Sequence, residues 1–462
     1  LPISGQQVGL FLGPLFTFYK AASTIAAARA LSQETGVRCV PIFWLQTEDH
    51  DFAEINHCYV PRPGAPPLRL QLDAAPDEDR VSTAHRKLGE GVTTQLEKLR
   101  EALEGLPHAE EFLARLTAHY RPDATFGGAF AAALSELFAD EGLLVLNPRC
   151  PRIAQLAAPV YRQSIVQHQA CTAALHARTA ALREVGFDEQ VHVRPSTALL
   201  FFHDDKAGGP RYRPERRGDG WSVPAASPEQ LYSDAELLSI LEREPLRFST
   251  SALLRPLVQD TLLPTAAYIG GPGEINYLVQ LPPLYALLGV PAPLVVPRAR
   301  FRCLEDNTRS LLQKLGLSPA DAELPGAEVL RRVARGETDF PAPDAIRGQL
   351  LGEAGRCLDQ LATLDSTLRD PVRRTRESIE HNVDRFLERY RKLLVERDGV
   401  TTERVARLQN FLFPEGIPQE RTYSIPYFIC KYGSHAFKQK VFAAMSPDPF
   451  AVFAQGTRNL DL

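Results

Sequence analysis

The densest set of groups able to move protons lies in one stretch near the start of the chain, Val40 to His57, which reads VPIFWLQTEDHDFAEINH. An apolar run from Val40 to Leu45 ends abruptly in Gln46, Thr47, Glu48, Asp49, His50 and Asp51. A bounded run of this length, rich in β-branched and aromatic residues, reads as a buried strand. In an open parallel sheet the ligand crevice lies outside the carboxyl ends of the strands. Glu48, Asp49, His50 and Asp51 are therefore the candidates for general acid–base work. The plainer alternative is a solvated loop in which Asp49 or Asp51 caps the following turn. Asp49, His50, Asp51, Glu54 and His57 could also offer oxygen and nitrogen ligands to a metal. They come from one continuous loop with no distant second set of His or Cys, so no metal site, and in particular no zinc, is expected.

The elements that must position this loop can be read on either side of it. Ser4-Gly5-Gln6-Gln7 precedes Val8 to Leu12, which reads as a first short strand turned by Gly13-Pro14. A helix is expected from about Thr17, with Ala21, Ile25, Ala28 and Leu31 at helical spacing and Gly36 as its C-terminal cap. Strand, helix and second strand then form a β-α-β unit with parallel strands. The turn GPLFTFYK, with Gly13 and Pro14, is where a nucleotide phosphate would meet a helix N-terminus, although it is neither GxGxxG nor a Walker loop. Lys20 could neutralise an anion there. A second dense stretch runs from Phe248 to Gln280. Its helix carries Arg255 and Gln259 into a strand over Thr265–Ile269, which ends in Gly270-Gly271-Pro272-Gly273-Glu274. Glycines at 270, 271 and 273 let backbone amides approach a ligand closely and join the nucleotide-binding candidates. A strand over Leu294–Val296 ends at Pro297-Arg298. Three strand ends thus offer polar groups to one crevice: the 46–51 loop, the 270–274 loop and Arg298.

Between these stretches the chain departs from the sheet and returns. Residues 61–78 read as an exit, 85–140 as helical, Leu143–Leu146 as a returning strand and 151–185 as one long helix stopped by Gly186. Residues 189–224 read as a small antiparallel element with a basic loop at Arg211, Arg213, Arg216 and Arg217, followed by a helix over Asp234–Glu242. Beyond 345, Leu350, Ala354, Cys357, Leu361, Leu364 and Leu368, then Ile379, Val383, Phe386, Tyr390 and Leu393, step by three and four, as in a coiled coil. Pro371 separates two helices, and Gly399 with Thr401-Thr402 marks a reversal into a third through Val405, Leu408 and Phe411. The expected division is a Rossmann-like core in three pieces (1–60, 141–188, 246–345), a helical insertion (61–140), a small second insertion (189–245), a helical coiled coil (346–415) and a C-terminal segment (416–462) docking on the core.

With 462 residues, 44% of them hydrophobic and 23% charged, the chain should form two or three domains with sizeable cores. A net charge of −4 argues against broad nucleic-acid affinity. The seven cysteines are scattered and form no CxxC pair, which favours a reducing, cytoplasmic setting. Apolar stretches are short or cut by proline, so no membrane span is expected. The single Met lies at 445, so residues are expected ahead of Leu1.

The stretches GQQVGLFLGPLFTFYK, VPIFWLQTEDHDFAEINH, LRPLVQDTLLPTAAYIGGPGEINY, VVPR and PQERTY…KYG resemble, in order, the cysteine-adding enzymes of bacillithiol biosynthesis, also called cysteine ligases. The resemblance implies an α/β fold: a Rossmann-like core similar to class I aminoacyl-tRNA synthetases, two connecting insertions and an α-helical coiled coil associated with homodimers. It implies a ligase that joins the cysteine carboxyl to the glucosamine amine of glucosaminyl-malate in the last step of bacillithiol biosynthesis. The comparison with class I synthetases departs at their two signatures. Gly13-Pro14-Leu15-Phe16 stands where a His-x-Gly-His turn would be, and no Lys-Met-Ser-Lys-Ser loop exists. ATP or ADP, with Mg, remains an open expectation.

For such a reaction His50 is the first choice of base, oriented by Asp51 or Asp49. Arg255, Arg298 and Lys20 are expected to bind the two malate carboxylates. Trp44 and Tyr268 are expected beside the sugar ring or in the core, and Glu274 and Asn276 near an amine or ribose hydroxyls. Gln6, Gln7, Thr17, Asn56 and Gln259 complete the substrate set. A second class of function, a dimeric nucleotide-binding or scaffold protein of thiol metabolism, would explain the missing synthetase signatures but not two polar clusters at strand ends.

Overall fold

The computed structural model describes residues 1–62, 64–74, 80–203, 206–223, 230–334, 343–397 and 399–462. The chain divides into two compact units. The first comprises Leu1–Val60, Leu68–Arg302 and Glu420–Leu460. It is built on a five-stranded parallel sheet of β1 (Pro2–Gln6), β2 (Ile42–Leu45), β3 (Leu144–Leu146), β4 (Ala267–Gly270) and β5 (Leu294–Pro297). Its order is β5-β4-β1-β2-β3, so the strand order reverses between β1 and β4. Ile3, Ile42, Trp44 and Tyr268 pack from this sheet into one core with Tyr161, Leu254 and Leu257.

The first strand is not where the apolar run suggested. Pro2–Gln6 forms it, and Leu10–Leu12 makes a single 3₁₀ turn. Val8 to Leu12 is apolar because it is buried, not because it is extended. Phe11 and Leu12 take positive φ values of 49° and 73°, and the chain doubles back so tightly that a Cβ on Gly9 would stand 2.9 Å from the Gly13 Cα. The Leu12 N–H donates to the Tyr120 hydroxyl at 2.9 Å, which meets part of the hydrogen-bonding need a strand would have met. Gly5 has its own reason: a Cβ there would lie 2.9 Å from the Trp44 carbonyl on the neighbouring strand.

Helix α1 (Phe16–Thr35) crosses from β1 to β2 and stops at Gly36 in the left-handed region, as its sequence indicated. The 85–140 stretch holds helices Gly91–Ala102, Ala109–His119 and Phe126–Leu137. The expected single helix over 151–185 is two, Pro151–Val166 and His168–Glu184. The break at Gln167 has no Gly or Pro to announce it. His168, the first residue of the second helix, is pinned by a 2.8 Å hydrogen bond between Nε2 and the Pro195 carbonyl and by the Trp221 ring. Two small antiparallel sheets follow. One places Leu200–His203 between Arg211–Tyr212 and Phe248–Thr250, and the other joins Glu215–Arg217, Gly220–Val223 and Gln230–Ser233. The C-terminal stretch returns to this unit. The Leu15 N–H donates to the Tyr423 carbonyl at 2.7 Å, the His108 N–H donates to the Cys430 carbonyl at 2.8 Å, and Phe437 packs on Phe18.

The second unit comprises Pro61–Pro67, Cys303–Gln419 and Asp461–Leu462. Leu312, Leu315, Val329, Val405, Leu408 and Leu412 form its core. Two long helices, Pro343–Leu364 and Arg369–Arg397, run antiparallel. The short connection between Leu364 and Arg369 makes them antiparallel, and ion pairs span the two: Asp344 meets Arg391, Arg347 meets Glu380 and Asp384, and Asp359 meets Arg376. The face that packs inside carries Leu358 and Leu387, whereas Leu361, Leu364, Phe386 and Leu393 of the heptad stripe are exposed. Among the described residues no helix is long and apolar enough to cross a membrane.

Candidate active site

A cavity of about 460 Å³ opens at the carboxyl ends of β1, β2, β4 and β5, at the reversal of strand order. Gln6 ends β1 and Gln7 follows it, Gln46, Glu48, Asp49 and His50 follow β2, Gly271 to Glu274 follow β4, and Arg298 follows β5. Phe201, Arg211 and Thr250 of a small antiparallel sheet, Arg213 just after its strand Arg211–Tyr212, and Arg421 of the C-terminal segment add to the walls.

One side is organised by a buried ion pair. Lys20 Nζ lies 2.5 Å from Glu274 Oε2 and donates to the Gly5 carbonyl and Gln6 Oε1 at 2.7 and 2.8 Å. Glu274 accepts from the Gly271 N–H and the Tyr268 hydroxyl, at 2.8 and 2.7 Å. Burial pushes the Glu274 carboxyl up, but Lys20 and these donors outweigh it and hold the group below its ordinary range. Burial lowers the Lys20 ammonium, against the pull of Glu274 and with a further push from Arg298 and Arg255. Arg255, also buried, is hydrogen-bonded among the described residues to neutral groups alone: Gln259 Oε1 at 2.9 Å and the Tyr268 and Tyr277 hydroxyls at 3.3 Å. Arg298 makes a two-pronged bridge to Glu420, 2.8 Å at each contact. Among the described residues its Nε has no hydrogen-bond partner, and its guanidinium lies over Phe16, as do Lys20 and Arg421.

The other side is organised by Asp49. Its Oδ1 accepts from Arg211 Nη2 at 2.8 Å and from the backbone N–H groups of His50 and Asp51, and its Oδ2 from Gln7 Nε2 at 2.8 Å. Burial alone would raise the Asp49 pKa, but Arg211 and these donors lower it. Asp49 and His50 are neighbours without a hydrogen bond between their side chains: His50 Nδ1 stands 3.7 Å from Asp49 Oδ1, and its hydrogen-bond partner is Arg211 Nε at 2.9 Å. Asp49 is spent on shaping its own loop and on neutralising Arg211, so it does not orient the imidazole. Asp51 does not either; it caps the short helix Phe52–Ile55 through the Glu54 N–H. A carboxyl held low in the folded state contributes stability above its unfolded pKa, about 3.9 for Asp, and the contribution is lost as pH falls through the folded value. Asp49→Asn should therefore lower stability at pH 7 and flatten the acid limb below about pH 4; denaturant melts at neutral and acid pH read both effects.

Most sequence-derived candidates do meet here: Gln6, Gln7, Lys20, Trp44, Glu48, Asp49, His50, Arg255, Gly271, Gly273, Glu274 and Arg298 all line the cavity. Glu48 is buried and accepts from the Thr250 hydroxyl and N–H, tying the β2 loop to the antiparallel sheet. Gln259 and Tyr268 stand behind, holding Arg255, and Trp44 and Tyr268 belong to the core. Thr17, Asn56, Asn276, Asp51, Gly13, Pro14 and Gly270 are not among the lining residues. Asn56 donates to the Leu72 carbonyl, Asn276 is exposed, and Pro14 bridges to Ser424. Missed by the sequence reading were Phe16, Phe201, Tyr277 and the cations Arg211, Arg213 and Arg421. The basic loop and the PQERTY stretch signalled these cations, but nothing local tied either to the crevice.

Sheet order, crevice and appendage together define a Rossmann-like α/β protein that carries a cavity lined with charged groups and a helical coiled-coil domain. Residues 2–299 match the model of the bacillithiol biosynthesis BshC N-terminal Rossmann-like domain, and residues 301–450 that of the BshC C-terminal coiled-coil domain. The chain belongs to this bacillithiol biosynthesis family. It is 34% identical over 439 residues to a Koribacter versatilis protein named "Putative cysteine ligase BshC", covering 93% of this chain and 79% of that one. Relatives of the same name from Salinibacter ruber (31% identical, 93% and 78% covered) and Solibacter usitatus (32%, 93% and 80%) are similar over the same span.

Proposed function

We propose that this protein is a cytoplasmic ligase that joins the carboxyl of cysteine to the amine of glucosaminyl-malate, forming an amide in the last step towards bacillithiol. The observation that carries this reading is the charge inventory of the cavity. Six cations line it, Lys20, Arg211, Arg213, Arg255, Arg298 and Arg421, against the four carboxylates Glu48, Asp49, Glu54 and Glu274. Lys20, Arg211 and Arg298 are committed to carboxylates. Arg213 and Arg421 make no hydrogen bond or ion pair among the described residues, only ring contacts with Phe201 and Phe16. Arg255 is buried and Arg213 half-buried, with the exposed Arg421 beside them; guanidinium withdrawn from water without a carboxylate calls for an anionic ligand, and the malate half of the acceptor brings two carboxylates. Arg255, Arg213 and Arg421 are the residues left to receive them.

Amide formation also needs an activated carboxyl. A nucleoside triphosphate with Mg is the group that would supply the activation. Gly271 lies beside the Arg298 Nε, which makes no hydrogen bond among the described residues; a Cβ on Gly271 would stand in ordinary contact with it, at 3.7 Å. Gly271, Gly273 and the Nε side of Arg298 would hold the triphosphate. The exposed stripe of Leu361, Leu364, Phe386 and Leu393 supports homodimer formation through the coiled coil. Neither nucleic acid nor membrane is expected as a partner.

The test is mass spectrometry of purified protein with glucosaminyl-malate, cysteine and Mg-ATP, beside the same mixture without ATP. Product and AMP together indicate an adenylate route, product and ADP an acyl phosphate. No product in either tube overturns the reading. Within the same assay Arg255→Met should raise KM roughly tenfold to a hundredfold, the value of one charge-assisted hydrogen bond. Its stability should fall by about 1–3 kcal/mol, because the buried Gln259 Oε1 loses its donor. A KM equal to that of the unaltered protein would remove Arg255 from substrate binding.

A further inference from the structure

We infer that Arg211 is a positioning residue that holds His50 as a neutral imidazole with its proton on Nε2, so that His50 meets the substrate as a hydrogen-bond donor rather than as a base. A guanidinium nitrogen carries hydrogen and has no lone pair to offer, and arginine does not lose its proton in proteins. The 2.9 Å contact between Arg211 Nε and His50 Nδ1 therefore has one direction: arginine donates and Nδ1 accepts. A neutral imidazole has a single proton, which must then sit on Nε2. Protonating Nδ1 as well would turn its N–H against the arginine N–H and place two cations in contact.

The guanidinium has little freedom to move aside. Its side chain is 4% exposed, its Nη2 is fixed to Asp49 Oδ1 at 2.8 Å, and its face covers the Phe201 ring at 4.1 Å. The strand that carries it is paired, with Arg211 opposite His203. The charged groups that act on His50 are Asp49 and Asp51 from its own loop and Arg211 and Arg80 from other segments. Asp49 would favour an imidazolium, but its nearer oxygen is shared with Arg211 and two backbone N–H groups. Burial and Arg211 together depress the His50 pKa, in agreement with the geometry. Nε2 has no hydrogen-bond partner among the described residues, and His50 lines the cavity. On the ligase reading above, the acceptor it would meet is the carbonyl oxygen of the activated cysteine carboxyl. The tautomer itself does not rest on that reading.

The test is long-range proton–nitrogen NMR of the full chain labelled with ¹⁵N-histidine, titrated between about pH 5 and 8, with the His50 signals assigned through His50→Gln. The expected result at neutral pH is an unprotonated Nδ1 and a protonated Nε2, with a midpoint below about 6.5. In Arg211→Met the Nδ1–H form should appear and the midpoint should rise by at least about one unit, because Asp49 is released to accept from the ring. Asp49→Asn is the second variant. It should keep the Nε2–H form with an unchanged or lower midpoint. A protonated Nδ1 in the unaltered protein, an unmoved spectrum in Arg211→Met, or a switch to Nδ1–H in Asp49→Asn overturns the assignment. If the spectra are as expected and the amide assay yields no product, the ligase reading falls and the assignment of Arg211 stands.

Discussion

Glu420→Ala should cost the Rossmann-like unit about 3–5 kcal/mol, the usual penalty for leaving one member of a buried ion pair without its partner. Arg298 and Glu420 are 2% and 5% exposed at their side chains and meet through two parallel 2.8 Å contacts. The guanidinium would keep its charge, since arginine does not neutralise at accessible pH. It would keep one backbone acceptor, the Ala299 carbonyl at 2.9 Å. It would also lie in the cavity wall with nothing to balance it, so activity should fall along with stability. The pair need not be a net stabiliser for this to hold, because desolvation offsets much of its attraction. The double replacement Arg298→Met with Glu420→Met should therefore recover most of the lost stability while remaining inactive. Both tryptophans, Trp44 and Trp221, lie in this unit, so fluorescence during urea denaturation reports it selectively. A loss below about 1 kcal/mol in Glu420→Ala would place the pair among exposed bridges of little worth.

How far the sequence could be read follows from how local each signal is. Val40–Leu45 ran into its polar loop within a few residues, and Gly270–Glu274 closed a strand in the same way, so the crevice was visible before the structure was. The first strand was misplaced because burial and extension share one signature: Leu10 to Leu12 are apolar and buried yet turn. Arg211 reaches His50 across 161 positions, and Glu420 reaches Arg298 across 122. No periodicity or spacing carries such pairings, and composition could say only that a basic loop existed. The coiled-coil stripe shows a different limit. Residues stepping by three and four exist in more than one phase on a helix, and packing within the pair selected Leu358 and Leu387 instead of the more conspicuous Leu361 and Leu364.

His50→Ala should reduce kcat by about three orders of magnitude, the range of a group that acts directly on the reacting atoms, with the fold intact. The ring is partly exposed and touches Phe201 only edge-on, at 5.9 Å between centroids, so its loss opens no core cavity. The informative comparison is His50→Gln. A glutamine amide can donate a hydrogen bond from a similar position but cannot serve as a base near neutral pH. If His50 donates through Nε2, His50→Gln should retain roughly tenfold to a hundredfold more activity than His50→Ala, because part of a lost donor's contribution returns with a replacement donor. If His50 removes the amine proton, the two variants should be equally inactive. The loss should appear in kcat and kcat/KM alike, as it does when an interaction exists only in the transition state. A loss confined to KM would move His50 from the chemistry to substrate binding. Unchanged turnover in His50→Ala would remove it from the mechanism altogether and leave the Asp49–Arg211 pair as a structural brace for the β2 loop.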